Sequence, residues 1–234
     1  ARPVCPGPSA PDDTHCHAWA RPNASSSPVG LTPAQMKAAY GFSTSNTAGA
    51  GMTIAIVDAY DLPTAENDLN VFSTQFGLPT CTTANGCFKK VNQTGGNKYP
   101  RVDSGWGLEI AMDIEWAHAI APGAKILLVE ASTNSFTNLL AAEDYAKTHA
   151  QYVSNSWGGS EFSGETTYDS HVVQPGVSFF VSAGDAGLPA EYPSSSPNVI
   201  SVGGTLLTCK GNTLVSETGW TNGGGGCSLY ETAT

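Results

Sequence analysis

The chain has 234 residues, of which 40% are hydrophobic and only 13% are charged, and its formal net charge at pH 7 is −10. Nucleic-acid binding needs clustered Lys and Arg to neutralise phosphates, and ten such residues against twenty acidic ones exclude nucleic acid as a partner. No apolar stretch reaches about eighteen residues, so the sequence predicts neither a membrane span nor a membrane partner.

Residues 1–30 differ in composition from the rest of the chain, because they are rich in Pro and Ser and contain two of the six cysteines. This composition predicts an extended N-terminal arm clipped by a disulfide, not a folded domain. A single α/β domain is predicted to occupy residues 31–234.

The cysteines fall into three near-neighbour pairs, Cys5/Cys16, Cys81/Cys87 and Cys209/Cys227. Six cysteines allow fifteen pairings, and the short loops favour the local set. None of the spacings is the CxxC of a zinc site, and disulfides form in oxidising compartments, so the pattern predicts a secreted protein. A mixture of buried and exposed free thiols is the alternative.

Short apolar runs of strand length alternate with helical patterns from Leu31 onward. A helix is predicted from Thr32 through Tyr40, since Thr32 can cap it and Pro33 suits its first position. The further elements, in chain order, are strand Thr53–Val57, helix Pro63–Phe76, helix Glu109–Ile120, strand Lys125–Val129, helix Ser135–His149, strands Tyr152–Ser156, Val177–Ser182 and Val199–Val202, and a hairpin of Thr205–Cys209 with Thr213–Ser216. This alternation predicts an α/β fold, a parallel doubly wound sheet with helices on both faces and reactive groups at the carboxyl ends of its strands.

Glu109 and Asp113 are spaced i and i+4 in a segment of helical periodicity, so they share one helix face. The same stripe continues into the apolar side chains of Trp116, Ala117 and Ile120. Two adjacent carboxylates on an apolar face cannot both ionise cheaply, so they would share a proton, which is a general acid/base device. The spacing leaves a second interpretation open, in which both acids belong to a solvated first turn and favour the helix dipole.

Two further segments follow predicted strands and are rich in glycine. Asp185 stands directly after the strand Val177–Ser182, where an Asp is either a turn residue or a carboxyl presented to a cleft. Within Ser154–Gly159 the glycines predict the close approach of another group to the backbone. The five histidines form no HExxH motif, and no GxSxG motif occurs, so the sequence predicts neither a metal site nor Ser–His chemistry.

Taken together, these segments resemble the sedolisin family, the serine-carboxyl peptidases with a subtilisin-like fold. The matching stretches are IAIVDAYD (54–61), GLEIAMDIEWAHAIAPGAKI (107–126), SNSWGG (154–159), SAGDAG (182–187) and YPSSSPNVISVGGT (192–205). They stand in the family's order, and the resemblance extends over nearly everything from Leu31 to Cys227.

The resemblance implies an endopeptidase in which a serine attacks the peptide carbonyl. Glu109 matches the general base, and Asp113 matches the carboxyl that orients it and shares its proton. Asp185 matches the acid of the oxyanion hole, which must be protonated to donate a hydrogen bond. Asp58 stands where some relatives carry a glutamate that extends the proton network.

The resemblance also places the wall along which a polypeptide substrate extends at Ser156, Trp157, Gly158 and Gly159. The family's nucleophile lies in a Gly-Thr-Ser motif, and no serine of this chain matches it, because the Gly-Gly-Thr at 203–205 continues into Leu206. The family's calcium site likewise lies later than residue 234, so no cofactor and no metal ligand are expected in this chain itself.

Two functional hypotheses follow. The first is the N-terminal portion of the catalytic domain of a secreted acid endopeptidase, in which a companion C-terminal chain of the same precursor supplies the serine and the calcium ligands. A doubly wound domain that lacks its last core helix leaves an apolar face uncovered, which favours such a companion. The alternative is a catalytically inactive pseudoprotease or protein-binding module of the same fold, against which the joint presence of Glu109, Asp113 and Asp185 argues.

Overall fold

The computed structural model describes residues 1–8, 10–20 and 29–232. Its strands are β1 (Arg2–Pro3), β2 (His15–Cys16), β3 (Trp19–Ala20), β4 (Thr53–Ala59), β5 (Phe88–Asn92), β6 (Lys125–Ala131), β7 (Tyr152–Asn155), β8 (Trp157–Ser160), β9 (Ser178–Ser182), β10 (Glu191–Tyr192), β11 (Ile200–Val202), β12 (Thr205–Lys210) and β13 (Thr213–Gly219). Its helices are α1 (Pro33–Tyr40), α2 (Ala65–Phe76), α3 (Ser104–Ile120) and α4 (Phe136–Ala146), with a short 3₁₀ helix at Glu165–His171.

The centre of the fold is a six-stranded sheet in the order β11–β9–β7–β4–β6–β5, in which every neighbouring pair is parallel. The predicted α/β class is therefore confirmed, and the fold is subtilisin-like. Strand β5 was not predicted, because its sequence, FKKVN, is polar enough to read as a loop; it forms one edge of the sheet.

Helices cover both faces of this sheet, as predicted. Ala55 and Val57 of β4 belong to the core under α4, whereas Ile56 belongs to the core under α2 and α3. Because side chains alternate along a strand, Asp58 lies on the α3 side with Ile56. Asp58 is in register with Glu130 at the end of β6, so both strand ends direct an acid toward α3.

Helix α3 begins earlier than the apolar pattern indicates. The carboxyl of Asp103 accepts hydrogen bonds from the N–H groups of Gly105 and Trp106 at 3.0 and 3.1 Å, which caps the helix at Ser104. Glu109 therefore lies inside the helix instead of in its first turn, and the solvated-turn interpretation of Glu109 and Asp113 is wrong.

The disulfide Cys5–Cys16 in the arm is formed, as predicted. The arm also packs into the domain, because β2 pairs antiparallel with β8 and both Cys16 and Ala18 are buried. The proposed boundary between residues 30 and 31 stays a prediction, and part of the segment before it, residues 21–28, lies outside the described residues.

The structure corrects the third predicted disulfide. Cys81–Cys87 is formed, but Cys209 and Cys227 are free thiols. Cys209 lies near the far end of the hairpin of β12 and β13. After the hairpin the chain turns back to the loop that follows β9, where the N–H of Gly224 donates to the carbonyl of Gly184 at 2.6 Å. The glycine run thus carries Cys227 away from Cys209, although few residues separate them.

Among the residues that the structure describes, no helix combines the length and the apolar character that a bilayer crossing requires.

Candidate active site

The acids singled out in the sequence converge at the carboxyl edge of the sheet. Asp58 ends β4, Glu109 and Asp113 lie on α3, and Asp185 follows β9. The charges of Asp113 and Glu109 act on Asp58, and those of Asp113 and Asp185 act on Glu109. Four carboxyl groups from three separate parts of the chain therefore form one electrostatically coupled group.

Glu109 is almost completely buried, with 1% of its surface exposed. Burial raises the pKa of Glu109 well above its ordinary range, and repulsion from Asp113 raises it further. The backbones of His17 and Ala18 approach its carboxyl and act in the opposite direction. Neither carboxyl oxygen has a well-aligned hydrogen bond within the described residues.

Asp113 lies one turn later and is half-buried. Its polar neighbours are the hydroxyl of Ser156 and the carboxyl of Glu109. Burial raises the pKa of Asp113 to about 6, and these two neighbours together with His17 oppose the shift. The side chain also borders an open groove on the α3 side of the sheet.

Asp58 and Glu130 lie side by side near the ends of β4 and β6, on the side of the sheet that faces α3. Both are fully buried, and neither oxygen of Asp58 has a hydrogen-bond partner among the described residues. Glu130 accepts a hydrogen bond from the N–H of Leu62 at 3.1 Å and lies 3.6 Å from the ammonium of Lys90. Burial raises the pKa of Glu130 to about 8. Glu130 was missed in the sequence, although its place at the end of an apolar strand is the signal that identified Asp58.

Asp185 lies in the loop that follows β9. It comes directly after Gly184, whose φ of +96° turns the chain out of the strand. The indole N–H of Trp19 donates a hydrogen bond of 2.6 Å to Oδ2 of Asp185. Burial raises the pKa of Asp185, while His17 and Trp19 act against the shift. The carboxyl is therefore presented to a partly enclosed space, with the arm in contact with it.

The segment predicted as the substrate wall consists of a buried Trp157 side chain and a strand backbone that is paired on both edges. The side chain of Trp157 is fully buried, and its indole N–H donates to the carbonyl of Val57 at 2.9 Å, so the ring belongs to the core and is not available to a ligand. Strand β8 instead presents its main chain, to which the arm is hydrogen-bonded antiparallel with His15 opposite Gly158. The N–H of His17 continues this pairing, since it donates to the carbonyl of Ser156 at 3.0 Å.

The arm contributes site residues that were missed in the sequence. Nδ1 of His17 lies 2.5 Å from the hydroxyl of Ser182, and its Nε2 lies 3.1 Å from a carboxyl oxygen of Glu191. No local motif signals this arrangement, because His17 and Glu191 are 174 positions apart. Glu191 pairs with β8 from the other side, in the sheet β10–β8–β2.

Two groups of described residues bring three metal-ligating side chains together: Cys81, Cys87 and His118, and His15, His17 and Glu191. The sulfurs of the first group are joined in a disulfide, which removes them as ligands. Calcium prefers six to eight oxygen ligands, so neither group fits it. The second group has the nitrogen and carboxylate donors that first-row transition metals accept.

The α3 side of the sheet carries an uncovered groove of about 480 Å³ beside Asp113. Its apolar lining includes Met112 and Trp116 of α3 and Tyr152 and Phe180 of the sheet. Tyr152 and Met112 are 39% and 37% exposed, so the described residues leave this part of the sheet without a helix over it.

Comparison with known proteins is consistent with this geometry. Residues 103–224, just over half of the chain, match the Subtilase family. Kumamolisin of Bacillus sp. (strain MN-32) is 30% identical over 229 residues, which cover 87% of this chain and 39% of kumamolisin. Xanthomonalisin of Xanthomonas sp. (strain T-22) is 27% identical over 266 residues, which cover 86% of this chain and 31% of that protein.

The solved structure of Pseudomonas sedolisin, a serine-carboxyl proteinase complexed with two molecules of pseudo-iodotyrostatin, superposes with a TM-score of 0.73 at 26% identity. The match covers 88% of this chain and 65% of that chain. The chain thus spans less than half the length of the curated relatives and about two thirds of the solved one. It belongs to the subtilase family, and its similarity to kumamolisin, xanthomonalisin and Pseudomonas sedolisin assigns it to the sedolisin branch.

Proposed function

We propose that this chain supplies the acids of a secreted serine-carboxyl endopeptidase that works at acidic pH. The observation that carries the proposal is the convergence of Glu109, Asp113 and Asp185 at one edge of the sheet, next to strand β8, whose backbone pairs with the arm. Polypeptides are the proposed substrates, because an extended peptide would form on β8 the same main-chain hydrogen bonds that β2 forms, once the arm has left that edge. The two disulfides support secretion.

The proposed chemistry is acyl transfer. A serine oxygen attacks the peptide carbonyl carbon, its proton passes to the carboxylate of Glu109, and the carbonyl oxygen becomes an oxyanion. Protonated Asp185 donates a hydrogen bond to that oxyanion. When the C–N bond breaks, Glu109 returns the proton to the leaving amine, and water then hydrolyses the acyl-enzyme by the same route.

Asp113 acts as the positioning residue for Glu109 in this scheme. Its contact with the Glu109 carboxyl allows one proton to be shared, and Asp58 extends the shared system into the core. When the one proton of the pair lies on Asp113, Glu109 is the carboxylate that accepts the serine proton. Asp185 is useful only while protonated, so the proposed enzyme loses rate as the pH rises through the pKa of Asp185.

The nucleophilic serine is assigned to a segment of the same precursor that is not in this chain, either continuing it or forming a companion chain. The uncovered groove beside Asp113 supports this assignment, because a helix packed on Met112, Trp116 and Tyr152 would bring a side chain next to Asp113. The calcium implied by the family is assigned to the same segment, since the described ligand groups do not suit it.

In the described arrangement the arm lies where an extended substrate is proposed to bind. β2 occupies the backbone of β8, and Trp19 holds Asp185. The arm must therefore leave β8 before a polypeptide can bind there.

The test uses the full-length precursor, activated at acidic pH, and follows hydrolysis of an unfolded protein substrate by mass spectrometry. Glu109→Gln is expected to lower kcat by about 10²–10⁴, the usual contribution of a general base. Glu217→Gln is the matched control, because Glu217 is an exposed acid on β13 outside the site. Activity of Glu109→Gln equal to that of the control would refute the general-base role.

Intact mass measurement under denaturing, non-reducing conditions then decides how the serine is supplied. A second polypeptide indicates a companion chain, and a longer single mass indicates continuation. If the sample contains neither a second polypeptide nor a longer single chain, and hydrolyses no substrate at any pH, the inactive pseudoprotease or binding module is favoured instead.

A further inference from the structure

His15, His17 and Glu191 surround a small space between the arm and the domain. Nε2 of His17 lies 3.1 Å from Oε2 of Glu191, and Nε2 of His15 lies 4.0 Å from Oε1 of the same carboxyl. The three ligand atoms all lie within 4.8 Å of one another. Around a tetrahedral ion with bonds of about 2.0–2.1 Å, ligand atoms are about 3.3 Å apart, so small side-chain rotations close the set.

The hydrogen bonds of Ser182 determine which nitrogen of His17 is free. The hydroxyl of Ser182 donates its one hydrogen to the carbonyl of Asn155 at 3.3 Å. With its hydrogen on Asn155, the hydroxyl accepts from Nδ1 of His17, 2.5 Å away, and in this tautomer Nδ1 is the protonated nitrogen. In the neutral ring Nε2 then carries a lone pair that points at the carboxylate of Glu191. Two acceptors at 3.1 Å need a cation between them, either a proton or a metal ion.

The backbone around Glu191 leaves room for this arrangement. A side chain at Gly158 would meet Oε2 of Glu191 at 2.6 Å and Cε1 of His17 at 3.3 Å. A side chain at Gly184 would meet the Glu191 carboxyl carbon at 2.7 Å. Two glycines from β8 and from the loop after β9 thus form the cradle in which the Glu191 carboxyl lies.

We propose that His15, His17 and Glu191 bind one divalent transition-metal ion of the Zn²⁺ type, with Ser182 holding the ring of His17 in the ligating orientation. Two histidines and a glutamate are a recognised zinc donor set, and a histidine ligand usually donates its second N–H to a neighbouring oxygen. Water completes the coordination. The proposal does not depend on the proposed peptidase function.

The ion would join the arm to the domain. His15 and His17 belong to the arm and Glu191 to β10, with β8 between them. A bound ion therefore fastens the arm over the backbone of β8 and beside Asp185, in addition to the disulfide and the strand pairing.

The experiment titrates the full chain with Zn²⁺ at pH 7.5 against a chromophoric chelator, and uses Co²⁺ absorption to report the coordination. One ion per chain is expected. His15→Ala and His17→Ala are each expected to weaken binding by about 100-fold or more, and Ser182→Ala by about 10- to 100-fold, as for partners that orient a ligand. His171→Ala is the matched control, because His171 also pairs with a carboxylate, that of Asp144, but lies outside the group.

Glu191→Gln keeps the size of the side chain and tests the site if a histidine variant fails to fold. Zn²⁺ is also expected to slow amide exchange of His17, whose N–H donates to the carbonyl of Ser156 just before β8, and to leave this exchange unchanged in Glu191→Gln. Wild-type binding no tighter than that of His17→Ala and Glu191→Gln would overturn the proposal and leave a shared proton as the bridging cation. Equal loss of binding in His171→Ala would overturn it as well.

Discussion

Glu143 provides a sharp test of how the burial of acids sets the pH range in which the fold of this protein is stable. It lies on α4 with its side chain in the core, fully buried, and neither carboxyl oxygen has a well-aligned hydrogen bond among the described residues. Burial raises the pKa of Glu143 from 4.5 to about 8, while Asn155 and Lys147 oppose the shift. Glu143→Gln keeps the shape of the protonated side chain and removes its titration.

The direction of the effect follows from proton binding. Between pH 4.5 and about 8 the folded chain keeps the Glu143 proton and the unfolded chain releases it. The stability that this proton provides is complete below pH 4.5 and is lost as the pH rises through this window. At pH 7 the loss amounts to about 3 kcal/mol, at about 1.4 kcal/mol for each pH unit above the ordinary pKa. Relaxation around Lys147 and Asn155 reduces it to roughly 2–3 kcal/mol.

The measurement is urea unfolding at pH 4 and pH 7, followed by tryptophan fluorescence, with the free energy of unfolding from linear extrapolation. Glu143→Gln is expected to match the parent at pH 4 and to exceed its stability by roughly 2–3 kcal/mol at pH 7. Asp12→Asn is the control, because the Asp12 side chain is exposed, and its substitution is expected to change the free energy of unfolding by no more than about 0.5 kcal/mol. Equal differences between Glu143→Gln and the parent at both pH values would refute the reasoning.

Three further predictions concern the site and the cysteines. Asp185→Ala in the assembled enzyme is expected to lower kcat by roughly 10²–10³, and Asp185→Asn, a donor at every pH, is expected to move the alkaline limb of the kcat/KM profile upward; full activity of the alanine variant or an unmoved limb would contradict the oxyanion role. Replacing Cys5 and Cys16 by Ser is expected to loosen the arm by about 2–3 kcal/mol, seen as faster amide exchange in residues 15–20, and unchanged exchange would show that strand pairing alone holds the arm. Cys209 and Cys227 are expected to react with a thiol reagent in the denatured, unreduced chain, and a count of zero free thiols would restore the third disulfide.

The central sheet and its helices could be predicted from the sequence because their signals are local. Strand Thr53–Ala59 is buried on both faces and reads as a continuous apolar run. The convergence of Glu109 with Asp58 was foreseen only in part, because helical spacing fixes neighbours on α3 but not the strand end that packs beneath it. Trp157 was assigned to the substrate wall by the family resemblance. The burial of its ring was not foreseen, because the sequence gives no signal for the side of the strand to which the ring turns.

The contacts that were missed are those between distant segments. The third cysteine pair was predicted from loop length, which gives separation along the chain but not the direction in which the chain continues. His15 and His17 were not singled out because they belong to no local metal-binding motif, and their partners, Ser182 and Glu191, follow far later in the chain. Backbone pairing such as that of β2 with β8 uses groups common to every residue and leaves no side-chain pattern.

The glycines of β8 were the one sequence signal that another part of the molecule packs against this strand. They predicted the close approach of another group to the backbone, and this is confirmed, since a side chain at Gly158 would meet the Glu191 carboxyl and one at Gly159 would meet the Phe136 ring at 3.0 Å and the carbonyl of Asp13 at 3.1 Å. Of the approaching groups, Glu191 and Phe136 belong to the domain, whereas Asp13 and His17 belong to the arm. The glycines are therefore needed by the fold itself before any substrate binds. A glycine-rich strand end identifies a place where backbones meet, and only the structure shows whether the partner is a ligand or another part of the same chain.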